Sequence, residues 1–363
     1  MRPLFTNTQT TMLNQHSVVV GVDVHKYSHT AVALDAWGKE CGTHTFTNNT
    51  LDAYCAWLDT LTSKNNLIVG IEDANCYGMH LVVALRAAGV HTRYVPAVLT
   101  ERERTHSTTR RKSDAVDASR VGRVLLTKYA ETLPAREAIA TQDELRVATE
   151  LDLMLMERED LTRSQTVLKN QLHALLYQQY TESYRSVCAK SFGKKTIRWF
   201  VNDLRDHDTV LSNSLIRRFT RLLFVMEQIA TIDKDIARVG EHSPYATALT
   251  GIYGCGKLTA TQIVAEVVSP ARFASKHHFA AYAGTTPIPH SSGRKNRLHT
   301  NPFGNRKLNR SIHTIALSQI ALKDEQATAY YQKKLQEGKT KLWALRCLKH
   351  QIAKRVFQTL KYV

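Results

Sequence analysis

A chain of 363 residues with 43% hydrophobic content is long enough for about two or three domains, each with a core of its own. Lys and Arg number 49 against 32 for Asp and Glu, and the net charge of +17 points to a polyanionic partner through release of phosphate counterions. The six cysteines lack CxxC spacing and the sixteen histidines lack HExxH spacing, so neither a disulfide framework nor a structural zinc site is expected. No apolar stretch is long enough for a membrane span or a secretion signal, so a reducing cytoplasm is the expected compartment.

In chain order, residues 1–16 are polar and read as a loose, flexible tail. Val18–Val24 is a buried strand, His29–Asp35 a second, and Thr43–Thr47 a third after a turn at Trp37-Gly38-Lys39. Asn49 or Thr50 is placed to cap a helix running to about Thr62. Leu67–Glu72 is a strand, Tyr77–Ala88 a helix stopped by Gly89, and Thr92–Val95 a further strand. Ser113 then caps a helix through about Tyr129. Three strands followed by alternating helix and strand is a mixed α/β layout in ribonuclease-H-like order, with carboxylates on the first and on a later strand.

Four acidic residues stand out in that layout. Asp23 closes Ser17-Val18-Val19-Val20-Gly21-Val22-Asp23, and Glu72 closes Leu67-Ile68-Val69-Gly70-Ile71-Glu72. Asp114 and Asp117 are i and i+3 near the start of one helix, so they share a face where anionic charge is favoured. A lone Asp after a strand is ordinarily a turn residue or cap, but four in this order are jointly specific. Carboxylates at the ends of buried strands repel one another unless a hard divalent cation neutralises them, which points to Mg²⁺, or Mn²⁺ in its place. Two such ions about 4 Å apart activate a nucleophile and stabilise the leaving oxygen of a phosphodiester. Lys26 reads equally as a phosphate contact or a solvated strand-end lysine. Arg110, Arg111 and Lys112, just before Asp114, are candidate phosphate contacts.

From residue 141 the pattern changes. Val147, Met154, Leu161, Leu168 and Leu175 recur at sevens with Leu151 and Leu172 as companions, interrupted by Arg158 and Gln165. This is either a coiled-coil-like seam or an amphipathic helix of a bundle. A second long helix within 196–240 makes a helical hairpin or arm. The expected division is a catalytic α/β domain over 17–135, a helical arm over 136–243 and a mostly helical domain over 244–363.

Two constellations fall in the last domain. Gly251, Gly254 and Gly256 precede the apolar helix Leu258–Val268, so the backbone there, with Lys257, is placed to meet a phosphate as in a helix-hairpin-helix element. A plain glycine-rich turn is the other reading. Between His290 and His313 there are six cations, Arg294, Lys295, Arg297, Arg306, Lys307 and Arg310, and no acid. Such a loop attracts nucleic acid, and Ser291-Ser292-Gly293 within it is either an ordinary loop or the site of a nucleophile.

The quartet resembles the RuvC-like DEDD domain of insertion-sequence transposases of the one-ten family. Their K-S/T-D-x-x-D-A element is intact at Lys112–Ala118. Their E-A-T-G-x-Y block stands here as Glu72-Asp73-Ala74-Asn75-Cys76-Tyr77, which keeps the glutamate and tyrosine and lacks the glycine. The run Ala283-Gly284-Thr285-Thr286-Pro287, with Ser291-Ser292-Gly293-Arg294-Lys295 and Gly304-Asn305-Arg306-Lys307-Leu308, is similar to the family's C-terminal transposase domain. The resemblance spans about 17–130 and 245–325. It implies a DNA transposase or recombinase in which Asp23, Glu72, Asp114 and Asp117 hold Mg²⁺. The serine before the glycine, Ser292, would be the recombination nucleophile, with Ser291 its competitor. It further implies DNA partners (element ends and target), a noncoding bridge RNA as guide, assembly as dimers or tetramers, and action at the bacterial nucleoid. A site-specific invertase sharing both domains stays open beside it, as does a RuvC-like metal nuclease without a covalent intermediate; a noncatalytic nucleic-acid-binding protein is disfavoured by the complete residue set.

Overall fold

The computed structural model describes residues 13–72, 77–106, 113–188, 192–292, 295–299, 301 and 304–363. The chain divides into two compact units. Most of the expected tail, together with Asp73–Cys76, Arg110, Arg111, Lys112, Gly293 and Arg294, lies outside the described residues.

The first unit comprises the described residues of Met1–Leu145 with Val268–Phe279. Its strands are β1 Val18–Val24, β2 His29–Leu34, β3 Glu40–Phe46, β4 Leu67–Ile71, β5 His91–Tyr94 and β6 Leu133–Pro134. They form one six-stranded sheet in the order β3-β2-β1-β4-β5-β6. The first three run antiparallel, β4 and β5 run parallel to β1, and β6 returns antiparallel at the edge. Helices α1 Leu51–Leu61 and α2 Met79–Ala87 cover one face; α3 Ala97–His106 and α4 Asp114–Lys128 cover the other.

Strand alternation decides which residues meet which helices. Val20, Val22 and Val24 of β1 pack with α1 and α2, whereas Val19 packs with α4. Gly21 and Asp23 share the α4 face with Val19. In β4, Ile68 is on that face, so Gly70 and the following Glu72 are too. The parallel register sets Gly21 beside Gly70. A Cβ at Gly21 would lie 2.0 Å from the Ala118 carbonyl oxygen and 2.3 Å from the Gly122 nitrogen, so α4 rests its own backbone on the sheet. The two glycines form a notch for the helix, and the acids stand two residues beyond it.

Several local features differ from the sequence expectation. β3 starts at Glu40 because the preceding turn closes tightly: Gly38 has φ +79°, and Asp35 Oδ1 accepts from the Trp37 and Lys39 N–H groups. Thr47 and Thr50 make a capping box around a short 3₁₀ turn, and Thr50 gives α1 no side-chain cap. Helix α3 is an addition; its Glu101-Arg102-Glu103-Arg104 run hides a helix that buries Leu99 and Thr100. Ser113 does cap α4, accepting from the Val116 N–H. Arg86 fastens the short α5, Arg136–Ile139, by donating to the Glu137 and Ala140 carbonyls at 2.9 and 2.7 Å.

The second unit begins within α6, Gln142–Tyr180, and continues through α7 Tyr184–Val187, α8 Lys194–Arg205 and α9 Val210–Glu241. Leu172 and Leu176 share a cluster with Phe192, Phe200, Leu215, Phe219 and Leu222. Arg158 meets Asp233 at 2.5 Å. Positions rise along α6 as they fall along α9, so the two helices are antiparallel partners within one chain. Arg158 interrupts the heptad seam because its partner across the pair is a carboxylate. The unit is completed by α10 Pro244–Thr250, α11 Lys257–Val267, the last residues of α12 Lys276–Tyr282 (whose start belongs to the first unit), the hairpin β7 Ile288–Ser292 with β8 Lys295–His299, α13 Arg306–Ala321, α14 Glu325–Gln336 and α15 Lys341–Lys361. Among the described residues, no helix is long and apolar enough to cross a membrane.

Candidate metal centre and serine hairpin

A cleft of about 480 Å³ opens at the end of the glycine notch, lined by Asp23, His25, Glu72, Thr100, Asp114, Asp117 and Arg120 among others. Three sequence-distant segments meet there because β1 and β4 are adjacent and α4 is seated on both. The four carboxylates are not equivalent. Asp23 and Asp114 converge on His25, whose Nε2 lies 3.0 Å from Asp23 Oδ2 and 3.6 Å from Asp114 Oδ1. Asp117 Oδ1 accepts from Arg120 Nη1, one turn along α4. Glu72 Oε2 accepts from Thr100 Oγ1 of α3 at 2.8 Å.

Burial pushes the Asp23 carboxyl above the usual carboxylate value; His25 pulls it down, and Asp117 and Asp114 push it up again. An anion held in this way is one that a cation would stabilise. The ligating atoms of Asp23, His25 and Asp114 all lie within 4.8 Å of one another. This donor set fits a divalent ion, with oxygen ligands supplied from both β1 and α4. His25 is absent from the sequence-derived site. The available signal was the Asp23-Val24-His25 spacing, since residues two apart at a strand end emerge on the same side.

Lys26 is exposed and lies over the Tyr27 ring, 5.1 Å from its centroid. In the glycine-rich turn, Gly254 has φ +82°, and a Cβ there would sit 3.1 Å from the Ile315 carbonyl oxygen. Gln319 Nε2 donates to the Tyr253 carbonyl at 2.8 Å. That side of the turn is therefore packed onto α13. Gly256 has open space where a Cβ would go, and the exposed Lys257 pairs with Glu241 at 3.0 Å. Helix α11 starts at Lys257, one residue earlier than expected.

Ser292 ends β7, and its backbone pairs with Lys295 of β8, so the segment expected as a loop is a two-stranded ribbon carrying Lys295 and Arg297. Its root is tightly built. Gly284 has φ +65°, and a Cβ on Gly304 would lie 2.1 Å from the Gly284 Cα. Asn305 caps α13 through Leu308 N–H, its backbone N–H donates to Tyr282 O at 2.7 Å, and its side chain donates to Glu266 at 2.6 Å. Asn309 donates to Ala283 O at 2.7 Å and accepts from Lys349 at 2.6 Å. Arg306 is exposed. Lys307 is answered by Asp152 and Glu266 at 3.2 and 3.3 Å, and Arg310 by Glu159 at 3.1 Å.

Residues 20–181, which include the whole acidic cleft, match a protein-family model described as a transposase. This places the chain in the class of transposases, enzymes that act on DNA. Residues 246–332, which include the serine ribbon, match the model "Transposase IS116/IS110/IS902 family". The chain is 25% identical to an insertion element IS110 protein of 43.6 kDa, uncharacterized, from Streptomyces coelicolor, over 95% of this chain and 94% of the relative. It is 23% identical to an insertion element IS116 protein of 44.8 kDa, also uncharacterized, from Streptomyces clavuligerus, over 88% of each. The chain belongs to the IS110/IS116 family of transposases.

Proposed function

We propose that this transposase cuts and rejoins DNA with a RuvC-like metal centre in the acidic cleft and a serine nucleophile on the basic ribbon. The observation that carries the reading is the convergence of Asp23 and Asp114, from a strand end and a helix start, on one point of the cleft. The sheet order, with three antiparallel strands followed by parallel β4 and β5, supports the RuvC-like assignment of residues 17–135. Residues 136–243 are then the arm and 244–363 the C-terminal transposase domain.

Asp23 and Asp114 would hold Mg²⁺ or Mn²⁺, with Glu72 and Asp117 completing the charge of the site. The ion supplies positive charge where negative charge builds on the scissile phosphate. Ser292 Oγ forms the new bond to phosphorus as the bond to the departing strand's oxygen breaks. The serine proton ends, through solvent, on that oxygen, and the phosphate stays on Ser292. Attack by a second strand's hydroxyl reverses the exchange and frees the serine. Arg294, Lys295 and Arg297 hold DNA phosphates beside it, with Arg110, Arg111, Lys112, Gly256 and Lys257 as further backbone contacts. A noncoding RNA guide and a dimeric or tetrameric assembly complete the proposal.

The test is strand cleavage by Asp114→Asn. The account expects cleavage to fall by at least about a thousandfold, a loss of the size seen when one transition-state charge partner is removed, while DNA affinity stays within about threefold. Cleavage near the wild-type rate would remove the cleft from the mechanism.

A further inference from the structure

The cleft contains a side chain that the four-carboxylate reading leaves without a role. His25 stands just past the end of β1 with its Nε2 between Asp23 and Asp114, at 3.0 and 3.6 Å. The three ligating atoms lie within 4.8 Å of one another. Around a six-coordinate ion with bonds of about 2.1 to 2.2 Å, adjacent ligand atoms are about 3 Å apart and opposite ones about 4.3 Å. The 3.0 and 3.6 Å separations from His25 Nε2 are those of an imidazole sharing one ion with a carboxylate on each side. The other two carboxylates already have protein donors: Arg120 on Asp117 and Thr100 on Glu72.

We propose that His25 is itself a metal ligand, forming with Asp23 and Asp114 a mixed nitrogen–oxygen seat that takes Mn²⁺ in preference to Mg²⁺. The proposal rests on the metal reading of the cleft and goes beyond it in donor set and ion choice. An imidazole nitrogen is a poor ligand for Mg²⁺, which favours hard oxygens and retains its waters; it is a better one for transition ions. Asp23 and His25 leave the strand end on the same side, two residues apart, and Asp114 reaches them from the first turn of α4. Seating α4 on Gly21 therefore brings the third ligand to the other two. The competing role for His25 is an ion pair that neutralises the two carboxylates without touching a metal.

Pulsed electron paramagnetic resonance of Mn²⁺ bound to the full-length, EDTA-stripped chain separates these roles, because a directly bound imidazole imprints nitrogen modulation on the echo. The wild type should show that modulation, and isotope-labelled histidine should change its pattern. His25→Ala should lose it and bind Mn²⁺ about tenfold more weakly, the low end of what loss of a metal-site partner costs. Its Mg²⁺ affinity, read by competition, should move by less than about threefold. His25 is about half exposed, at 52% of its side chain, so the variant should fold, and circular dichroism checks this. Mn²⁺ bound to the wild type without nitrogen modulation, or modulation unchanged in His25→Ala, overturns the proposal while leaving the carboxylate site standing. Failure of Mn²⁺ and Mg²⁺ to bind the wild type at all overturns the metal reading itself, and His25 with it.

Discussion

The acidic cleft of the first unit and the serine ribbon of the second use glycine for the same purpose and charge for opposite ones. In the cleft, Gly21 admits the backbone of α4 so that carboxylates from different segments crowd together. At the ribbon root, Gly284 and Gly304 let two backbone segments cross, and the charges nearby are paired off: Lys307 with Asp152 and Glu266, Arg310 with Glu159. One site is left electrostatically incomplete and the other is braced. An incomplete site can accept an ion; a braced one can hold a strand end in a fixed place.

The largest expected effects come from filling the glycine notches. Gly21→Ala puts a methyl into the α4 backbone, which cannot yield as a side chain can, and should cost about 3 kcal/mol or more, or prevent folding. Gly304→Ala should do the same to the ribbon root. Gly70→Ala meets the end of the Leu125 side chain at 2.6 Å and should cost only about 1 to 2 kcal/mol. Gly256→Ala, with nothing near its Cβ, should shift stability by about 0.5 kcal/mol or less. Thermal unfolding of the four variants ranks them, and an equal ranking of Gly21 and Gly256 would break the notch account.

The contrast between the ribbon's own cations and the paired ones at its root is read in salt dependence. Changing Arg294, Lys295 and Arg297 together to Ala should lower the slope of log affinity against log salt by roughly 2 to 3. Lys307→Ala with Arg310→Ala should lower it by less than about 1, because both charges already have carboxylate partners. The stability lost in the latter should be about 1 kcal/mol or less, since both cations are about half or more exposed and screened by water. A larger slope change from the paired cations would reverse the assignment.

The smallest effect concerns Asp23 in the metal-free protein. A carboxyl whose value is raised on folding binds its proton more readily in the folded state. Its contribution to stability is therefore lost as pH rises from the unfolded value through the folded one. Asp23→Asn, which carries no charge, should raise the unfolding midpoint of the metal-free chain near neutral pH. Lowering the pH of the wild type through that window should narrow the gap. A lower midpoint for Asp23→Asn would mean that the His25 contact outweighs burial.

The carboxylates were legible in the sequence because strand ends are: valine-rich runs stop at Asp23 and Glu72, and Ser113 announces α4. The Gly two residues before each strand-end acid also stood in view at Gly21 and Gly70, but its meaning depends on the register that pairs them under α4. His25 is hidden because its two-residue spacing from Asp23 gains meaning only when Asp114 arrives from another element. Helix α3 is not legible because its middle is a run of alternating charges, and among its described side chains only Leu99 and Thr100 are buried. The ribbon read as a loop because Pro287, Pro289 and Gly293 flank or interrupt it. A two-stranded ribbon is all edge, and an edge strand tolerates proline.

The central claim is that a serine of the ribbon carries out the strand exchange in concert with the acidic cleft. Mass spectrometry of a nuclease-trimmed, SDS-resistant protein–DNA adduct tests it most directly. The account predicts a nucleotide remnant on Ser292, loss of the adduct and of recombination in Ser292→Ala, and retention of both, at least in part, in Ser291→Ala. A remnant on Ser291, or wild-type recombination by Ser292→Ala with free phosphate ends and no adduct, would contradict it.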